Sequence, residues 1–512
     1  MNNIIRYGLL ALTFSWHKLR IEPKQFVELV SRRFFNRGGE MLSLGSIMDG
    51  EANGEIKRAE HLIELGHLSD ATNVLSGCKG SRAAILRRNV REQKARFSVD
   101  VIASLPLEQF SVKSPRVFSL QTSSIPYTQS GYTVRSVQTL KAMSNAGLAV
   151  STATRLGYPV VIGKLPRTSY EVINGLEFHR LLPRTFPTHF SEEVELSASL
   201  LQMAAESFRP SVLHTTTDSK NAQVVSRVAM RLKIPWVYEV RGEPEKTWVS
   251  KFPKELQDEV LASERFIALR NKETEAMNAA SAVIALSEVS KAQLVFRGIP
   301  SEKVVVIPNA VEQEYTDRHY DKSAIRAELG LPERKLVGTV SSIVDYEGLD
   351  TLLEAAALKK DFDVVIVGDG AHLPALKRRA QQLALKGRVH FVGKVSSSEA
   401  WKWYAALDVF AVPRKDTEVC RTVTPLKPLM ALALGIPVVG SDLPALNEVT
   451  GRHLIAHVPE DAVSLVQAID RALRIKSSEK EALRIWAKTR TWEANGQKFR
   501  TLFSGRALGN EP

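Results

Sequence analysis

One stretch of this chain gathers side chains suited to holding a phosphate. It reads VPRKDTEVCRTVTPLKPLMALALGIPVV, Val412–Val439. Arg414, Lys415, Arg421 and Lys427 precede or open a helical run. Thr424 is a good N-cap residue and Pro425 a good first helical residue, with Leu426 between Pro425 and Lys427. Pro428 removes a further N–H, so the regular helix is expected to start between Leu426 and Pro428. Gly435 and Pro437 supply its stop. Such an N-terminus offers N–H groups and a partial positive charge to an anion, and Lys427 adds a full charge. The chemistry this suggests is a diphosphate cradle; the alternative is a solvated basic loop. Met430, one turn in, accepts essentially no hydrogen bond.

Other residues are weaker signals. VVIVGDG, Val364–Gly370, ends a strand on glycines that let a ligand approach the backbone. A full G-x-G-x-x-G is absent, and a plain strand-to-helix turn fits equally well. Asp361-Phe362-Asp363 mimics a metal-binding D-x-D but opens an apolar strand. No other His, Cys, Asp and Glu grouping has metal spacing, so a metal-independent mechanism and no cofactor are expected. His214 ends the strand VLHTTT, and Arg241-Gly242 follows WVYEV. Glu273, on a helix, is an expected partner to orient Arg241, or a member of a helix-face pair.

The elements that position these residues fall into three kinds. Residues 1 to about 110 are helical in pattern. Gly54–Gly77 reads as a helical hairpin with Gly66 at the turn and Ser69 as N-cap. One such unit cannot bury its own face, so it is expected to pack on neighbours. Lys79–Arg96 carries seven basic residues and one acid, Glu92. That is a solvated helix face, or a contact with anionic lipid or a partner. From about Pro115, short β-rich runs alternate with amphipathic helices, the pattern of a parallel sheet covered on both faces. A second series of this kind starts near Lys335. The expected divisions are 1–110, a helical extension; 111–308 and 309–480, two α/β domains hinged near Pro308–Thr316; and 481–512, a C-terminal helix returning to the first domain.

Composition narrows the partners. The chain has 512 residues and a net charge of +13, which suits nucleic acid, an anionic membrane face or phosphorylated substrates. No aromatic-basic stacking pattern supports nucleic acid. Cys78 and Cys420 make no disulfide framework and no zinc site. No apolar run approaches the ~20 residues of a membrane span. The apolar stretch Tyr7–Trp16 is followed by HKLRIEP rather than a small-residue cleavage site, so secretion is not expected.

The ordered set IPYTQSGYTVRSVQTLKAMSNAG, VLHTTT, WVYEVRGEPEKTW, RNKETEAMNAASAVIALSE, KVVVIPNAV, GTVSSIVDYEGLDTLLEA, VIVGDG, HFVGKV and PRKDTEVCRTVTPLKPL with its following helix and strand resembles the family-4 glycosyltransferases. It covers residues 115 to about 505. The resemblance implies the GT-B fold, an α/β arrangement of two Rossmann-like doubly wound domains facing a cleft, here with a helical N-terminal extension. It implies a nucleoside diphosphate sugar donor on the C-terminal domain and a carbohydrate or lipid-linked acceptor on the N-terminal one. Transfer would retain anomeric configuration and need no metal. Arg414 and Lys427 would stabilise the leaving diphosphate, with His214 and Arg241 lining the cleft as catalytic residues. Donor-binding positions carried over are Gly131 beside Ser130, Ser342, Gly368, Asp369, Val395, Arg421, Thr424, Pro425, Leu426 and Met430.

The chain departs from that pattern. Most relatives carry a Glu pair at the positions of Thr422 and Met430, the second of which binds the donor ribose. Many also place Arg at Ser342 and Lys at Glu347, both on the donor phosphates. The expectation is therefore that phosphate binding moves to Arg414, Lys427 and Arg421, with weakened or altered donor preference. The expected setting is cell-surface polysaccharide synthesis on the cytoplasmic membrane face, held there through an anionic surface. A second reading, prompted by Met430 and the helical extension, is a non-catalytic subunit that binds nucleotide, sugar or a partner.

Overall fold

The computed structural model describes residues 2–21, 54–110, 113–396 and 398–505. They form two compact units, residues 1–284 with 500–512, and residues 285–499.

The first unit opens with helices α1 (Asn2–Ile21), α2 (Gly54–Leu65), α3 (Leu68–Ser76) and α4 (Ser81–Ser98). The hairpin α2–α3 turns at Gly66, whose φ is +90°. It closes its core with α4: Ile56, Ala59, Ile63, Leu68, Ala71, Leu75, Ala83 and Val90 are buried together. Ser69 is not the N-cap. His67 holds that position, and the Ser69 N–H donates to Glu264 Oε2 at 2.7 Å. A carboxylate from a distant helix thus takes the donor that a local cap would have satisfied. The basic run of α4 is largely engaged within the protein. Arg82 pairs with Glu60, Arg87 donates to the carbonyls of Leu75 and Cys78, and Lys94 donates to Ser69 Oγ.

The sheet of this unit comprises β1 (Arg116–Gln121), β2 (Ala149–Thr154), β3 (Tyr170–Ile173), β4 (Leu176–Arg180), β5 (Val212–Thr216), β6 (Trp236–Glu239) and β7 (Ala282–Ala285). Their order is β3-β4-β2-β1-β5-β6-β7, parallel except for β3 against β4. Helix α5 (Gly131–Asn145) links β1 to β2.

The second unit runs from Ala285 through a helix (Glu288–Phe296) and a short strand, β8 (Val304–Val306), to β9 (Lys335–Val340), β10 (Phe362–Val367), β11 (Val389–Gly393), β12 (Val409–Val412), β13 (Val438–Ser441) and β14 (Leu454–His457). The order β11-β10-β9-β12-β13-β14 is parallel throughout. Alternate residues serve two cores. Leu336, Val365, Phe410 and Val438 pack on one face; Val337, Val364, Val409 and Val439 pack on the other. That is why these strands read as continuous apolar runs. Strand order reverses between β9 and β12, and the crevice beyond their carboxyl ends is where open sheets of this kind bind ligands.

Candidate active site

The loops leaving β9 and β12 carry the side chains nominated for phosphate. After β9, the chain runs through Ser341 and Ser342 to a single turn, Asp345–Glu347. After β12 come Pro413 and Arg414. Gly348 lets these loops meet: its φ is +67°, and a Cβ there would lie 1.9 Å from Pro413 O. The Arg414 backbone is pinned as its carbonyl accepts from Ser441 Oγ at 2.5 Å.

Glu347 is the centre of this site. It is buried and accepts from Arg414 Nη2 at 3.1 Å and Lys427 Nζ at 2.7 Å. Burial pushes its carboxyl pKa up, but Arg414 and then Lys427 outweigh that and bring it down to about 2. Burial of Lys427 lowers its pKa, against the pull of Glu347. Around them, Lys415 donates to Asp345 Oδ1 at 2.7 Å. Arg421 makes a two-pronged pair with Asp416, at 2.5 and 2.6 Å. All four cations expected to meet a diphosphate therefore already have carboxylate partners. Arg421 is half-exposed on its own loop and belongs to that local pair.

At this site two buried polar atoms, Arg414 Nε and Thr424 Oγ1, have no hydrogen-bond partner among the described residues. Both residues are more than nine-tenths buried, Arg414 at 6% and Thr424 at 6% exposure. Leaving such groups unpaired costs about 1–3 kcal/mol each, a cost that an anionic or hydroxylic ligand would remove. The helix that follows, α6 (Lys427–Ala433), starts later than Thr424 and Pro425. Leu426 occupies the N-cap position without a side-chain cap, and Thr424 O accepts from Asn309 Nδ2 at 2.9 Å. Thr424 is therefore no N-cap: two prolines, Pro425 and Pro428, hold the chain out of regular helix until Lys427. Met430 is partly buried and packs against the apolar core of this unit. Val395 packs against the same core.

The glycines of VIVGDG serve the chain itself. A Cβ on Gly368 would lie 1.8 Å from Ser341 O, and one on Gly370 2.2 Å from Ile343 O. The space expected for a ligand is thus filled by the loop after β9. Asp369 is exposed, and its Oδ1 accepts from Gly370 N at 2.8 Å. Ser342 is also exposed at the end of β9. Folding also assembles a grouping that spacing did not reveal, Asp345, Asp350 and His372. His372 Nε2 lies 2.7 Å from Asp350 Oδ2, while Lys415 occupies Asp345. A cation there would have to displace that lysine.

In the first unit, His214 and Arg241 do not line an open surface. Both are buried, around the fully buried Glu239. Glu239 accepts from Arg135 Nε at 2.6 Å and Arg241 Nη2 at 2.7 Å, and His214 Nε2 lies 3.3 Å away. In-register pairing of β1, β5 and β6 sets Ser119 beside His214, and Ser119 Oγ meets His214 Nδ1 at 2.8 Å. Ser136 Oγ accepts from Arg241 and donates to Gln121. Burial lowers the His214 pKa; it likewise opposes ionisation of Glu239, but Arg241 and Arg135 hold that carboxyl well below the usual range. Glu273 does not orient Arg241. It accepts instead from Ser219 N at 2.6 Å and Tyr238 OH at 2.7 Å. Ser130 caps α5, accepting from Thr133 N at 3.2 Å, and a Cβ on Gly131 would meet nothing within 4 Å.

Two family models match the chain, a glycosyl transferase 4-like domain over residues 130–310 and the glycosyl transferases group 1 over residues 334–474. Together they take in more than half of it. The chain is a family-4 glycosyltransferase of the GT-B fold.

Similar curated members of this glycosyltransferase group include a lipopolysaccharide core biosynthesis mannosyltransferase of Rhizobium meliloti, 31% identical over 28% of this chain and 43% of its own. A GDP-mannose-dependent alpha-(1-6)-phosphatidylinositol monomannoside mannosyltransferase of Mycobacterium tuberculosis is 29% identical over 40% of this chain and 54% of its own. The matched region thus spans about half the length of these relatives. Among solved GT-B structures, a sucrose-phosphate synthase from Thermosynechococcus elongatus superposes with a TM-score of 0.60 at 20% identity, over 76% of this chain and 98% of that one. Anabaena HepE in complex with UDP and glucose gives 0.58 at 18%, over 76% and 99%. Within this glycosyltransferase, sequence reasoning missed Glu347 as the counter-ion of both cations, and Arg135 and Glu239 at the heart of the buried network. The one available signal was Glu347 itself, an acid where the resemblance implies a lysine.

Proposed function

We propose that this glycosyltransferase moves a hexose from a nucleoside diphosphate sugar to a glycan or glycolipid acceptor, with retention and without a metal ion. The observation that carries the reading is the pair of unpartnered, buried polar atoms, Arg414 Nε and Thr424 Oγ1, beside two cations at the sheet's switch point. Charge builds on the diphosphate as the glycosidic bond breaks. Arg414 and Lys427, held by Glu347, supply fixed positive charge to it, the role a divalent ion plays elsewhere. The leaving phosphate itself takes the acceptor proton, so no side-chain base is required. The printed names of relatives support a hexose and a lipid-linked or glycan acceptor: mannose onto phosphatidylinositol monomannoside in one, lipopolysaccharide core in another.

The test is release of nucleoside diphosphate by the full chain over a panel of sugar nucleotides with lipid-linked and glycan acceptors, with and without a chelator. Turnover should survive the chelator. Lys427→Met should lower kcat by roughly 10²–10³, the scale for removing one fixed transition-state charge. Absence of both turnover and nucleotide binding in a well-folded chain would overturn the reading. A second reading, a subunit that binds nucleotide without turning over, is favoured by Met430 and by the paired state of every basic side chain at the site. Tight nucleotide binding with no turnover across the panel would decide for it.

A further inference from the structure

Among the described residues, helix α1 is packed on one side only. Tyr7 and Leu10 are buried. Thr13 Oγ1 accepts from Phe186 N at 2.9 Å, and the rings of Phe14 and His17 lie 4.9 and 5.4 Å from that of Phe186. The other side carries Leu9, Leu12, Trp16 and Leu19, exposed by 38%, 69%, 61% and 38%. Spacings of three, four and three place these four on one stripe. A helix that buries one face ordinarily turns polar residues to water. Here the outward stripe consists of large apolar side chains.

Charge says what covers it. Residues 1–21 contain Arg6, Lys18 and Arg20 and no Asp or Glu. The helix also packs on the turn Val160–Ile162. The exposed loop after that turn sets Leu165, 59% exposed, between Lys164 and Arg167. Two adjoining elements therefore repeat one composition, an outward apolar side chain flanked by bases. A second protein chain would meet such a stripe with apolar side chains and acids; a second copy of α1 brings only more bases. Apolar residues including a tryptophan, with cations and no acid, match the boundary between acyl chains and anionic headgroups. No helix among the described residues is long and apolar enough to cross a membrane.

We propose that α1 lies in the plane of an anionic bilayer surface, with Leu12 and Trp16 in the acyl boundary. This does not rest on the transferase reading, and its test does not read turnover. The full chain is sedimented with vesicles of phosphatidylcholine alone or mixed with phosphatidylglycerol. Binding should require phosphatidylglycerol, weaken with salt, and fall at least ~tenfold in a Leu12→Ser, Trp16→Ser variant, given the apolar area withdrawn. A Leu12→Cys chain carrying an environment-sensitive fluorophore should shift to the blue on adding the mixed vesicles, and it reads the same contact should the double variant fail to fold. Equal sedimentation of parent and folded variant would overturn the proposal. So would a dimer that dissociates in the variant with no vesicle binding by the parent, or a fluorophore already shifted without vesicles and unchanged by them. Vesicle binding that fails while nucleotide turnover persists would leave the transferase reading standing alone.

Discussion

Replacing Glu347 by Gln tests the reading of the donor site most directly. The Glu347 side chain is 6% exposed and serves as the counter-ion of both Arg414 and Lys427. Lowering its pKa from 4.5 to about 2 on folding means the folded state favours the ionised form by about 3 kcal/mol more than the unfolded chain does. Gln keeps the shape and loses the charge, so the variant should lose about 3 kcal/mol at pH 7. That agrees with the 3–5 kcal/mol typical of removing one partner from a buried ion pair. Because the folded-state pKa is depressed, this contribution is complete above about pH 4.5 and is lost as pH falls towards 2. The difference between parent and variant should therefore halve near pH 3.3. With a urea slope of about 2–3 kcal/mol/M, the midpoint should drop by about 1 M at pH 7. Cys420, fully buried in the second unit, offers a local probe. In a Cys78→Ser background its labelling under urea reports the opening of that unit alone. The same change frees two cations for an anion. Nucleoside diphosphate should bind the variant roughly tenfold more tightly, and a hundredfold excess over Kd would return about 2.7 kcal/mol. An unchanged midpoint at pH 7, or a diphosphate that stabilises parent and variant equally, would refute the assignment of Glu347 as counter-ion of a phosphate site.

Met430→Glu should tighten nucleoside diphosphate binding about ten- to a hundredfold if its carboxylate reaches the ribose hydroxyls, worth roughly 1.5–3 kcal/mol. Titration calorimetry reads this, and unchanged affinity would assign Met430 to the packing of the apolar core it touches. Glu239→Gln should cost about 3–5 kcal/mol, since it leaves Arg135 and Arg241 buried without their shared carboxylate. Its thermal midpoint should fall sharply while the nucleotide Kd measured on the folded fraction stays put; the reverse pattern would return Arg241 and His214 to the reaction.

What the sequence made legible was local, and what it hid was paired at a distance. Runs such as FDVVIV and IPVVGS announce buried parallel strands because both faces of the sheet are covered, and β10 and β13 fall on them. The loop after β12 announces a basic site because its charges are adjacent in the chain. The carboxylate that organises that site stands 67 residues from Arg414 and 80 from Lys427, and no periodicity links them. The same distance separates expectation from outcome in the glycines of VIVGDG, which accommodate carbonyls of the neighbouring strand's loop rather than a ligand. Once the pairing is known, the charges at this site read as one group: two cations, Arg414 and Lys427, and the buried carboxylate Glu347 that both share. A site without that acid would present two uncompensated charges and nothing to hold them in place. With it, the cations are fixed and present a smaller net charge to an anion. Met430 stands outside this group, packed against the apolar core. That is why the Glu347 and Met430 variants separate the two halves of the expected site: one should change the charge an anion meets, the other only the surface beside it.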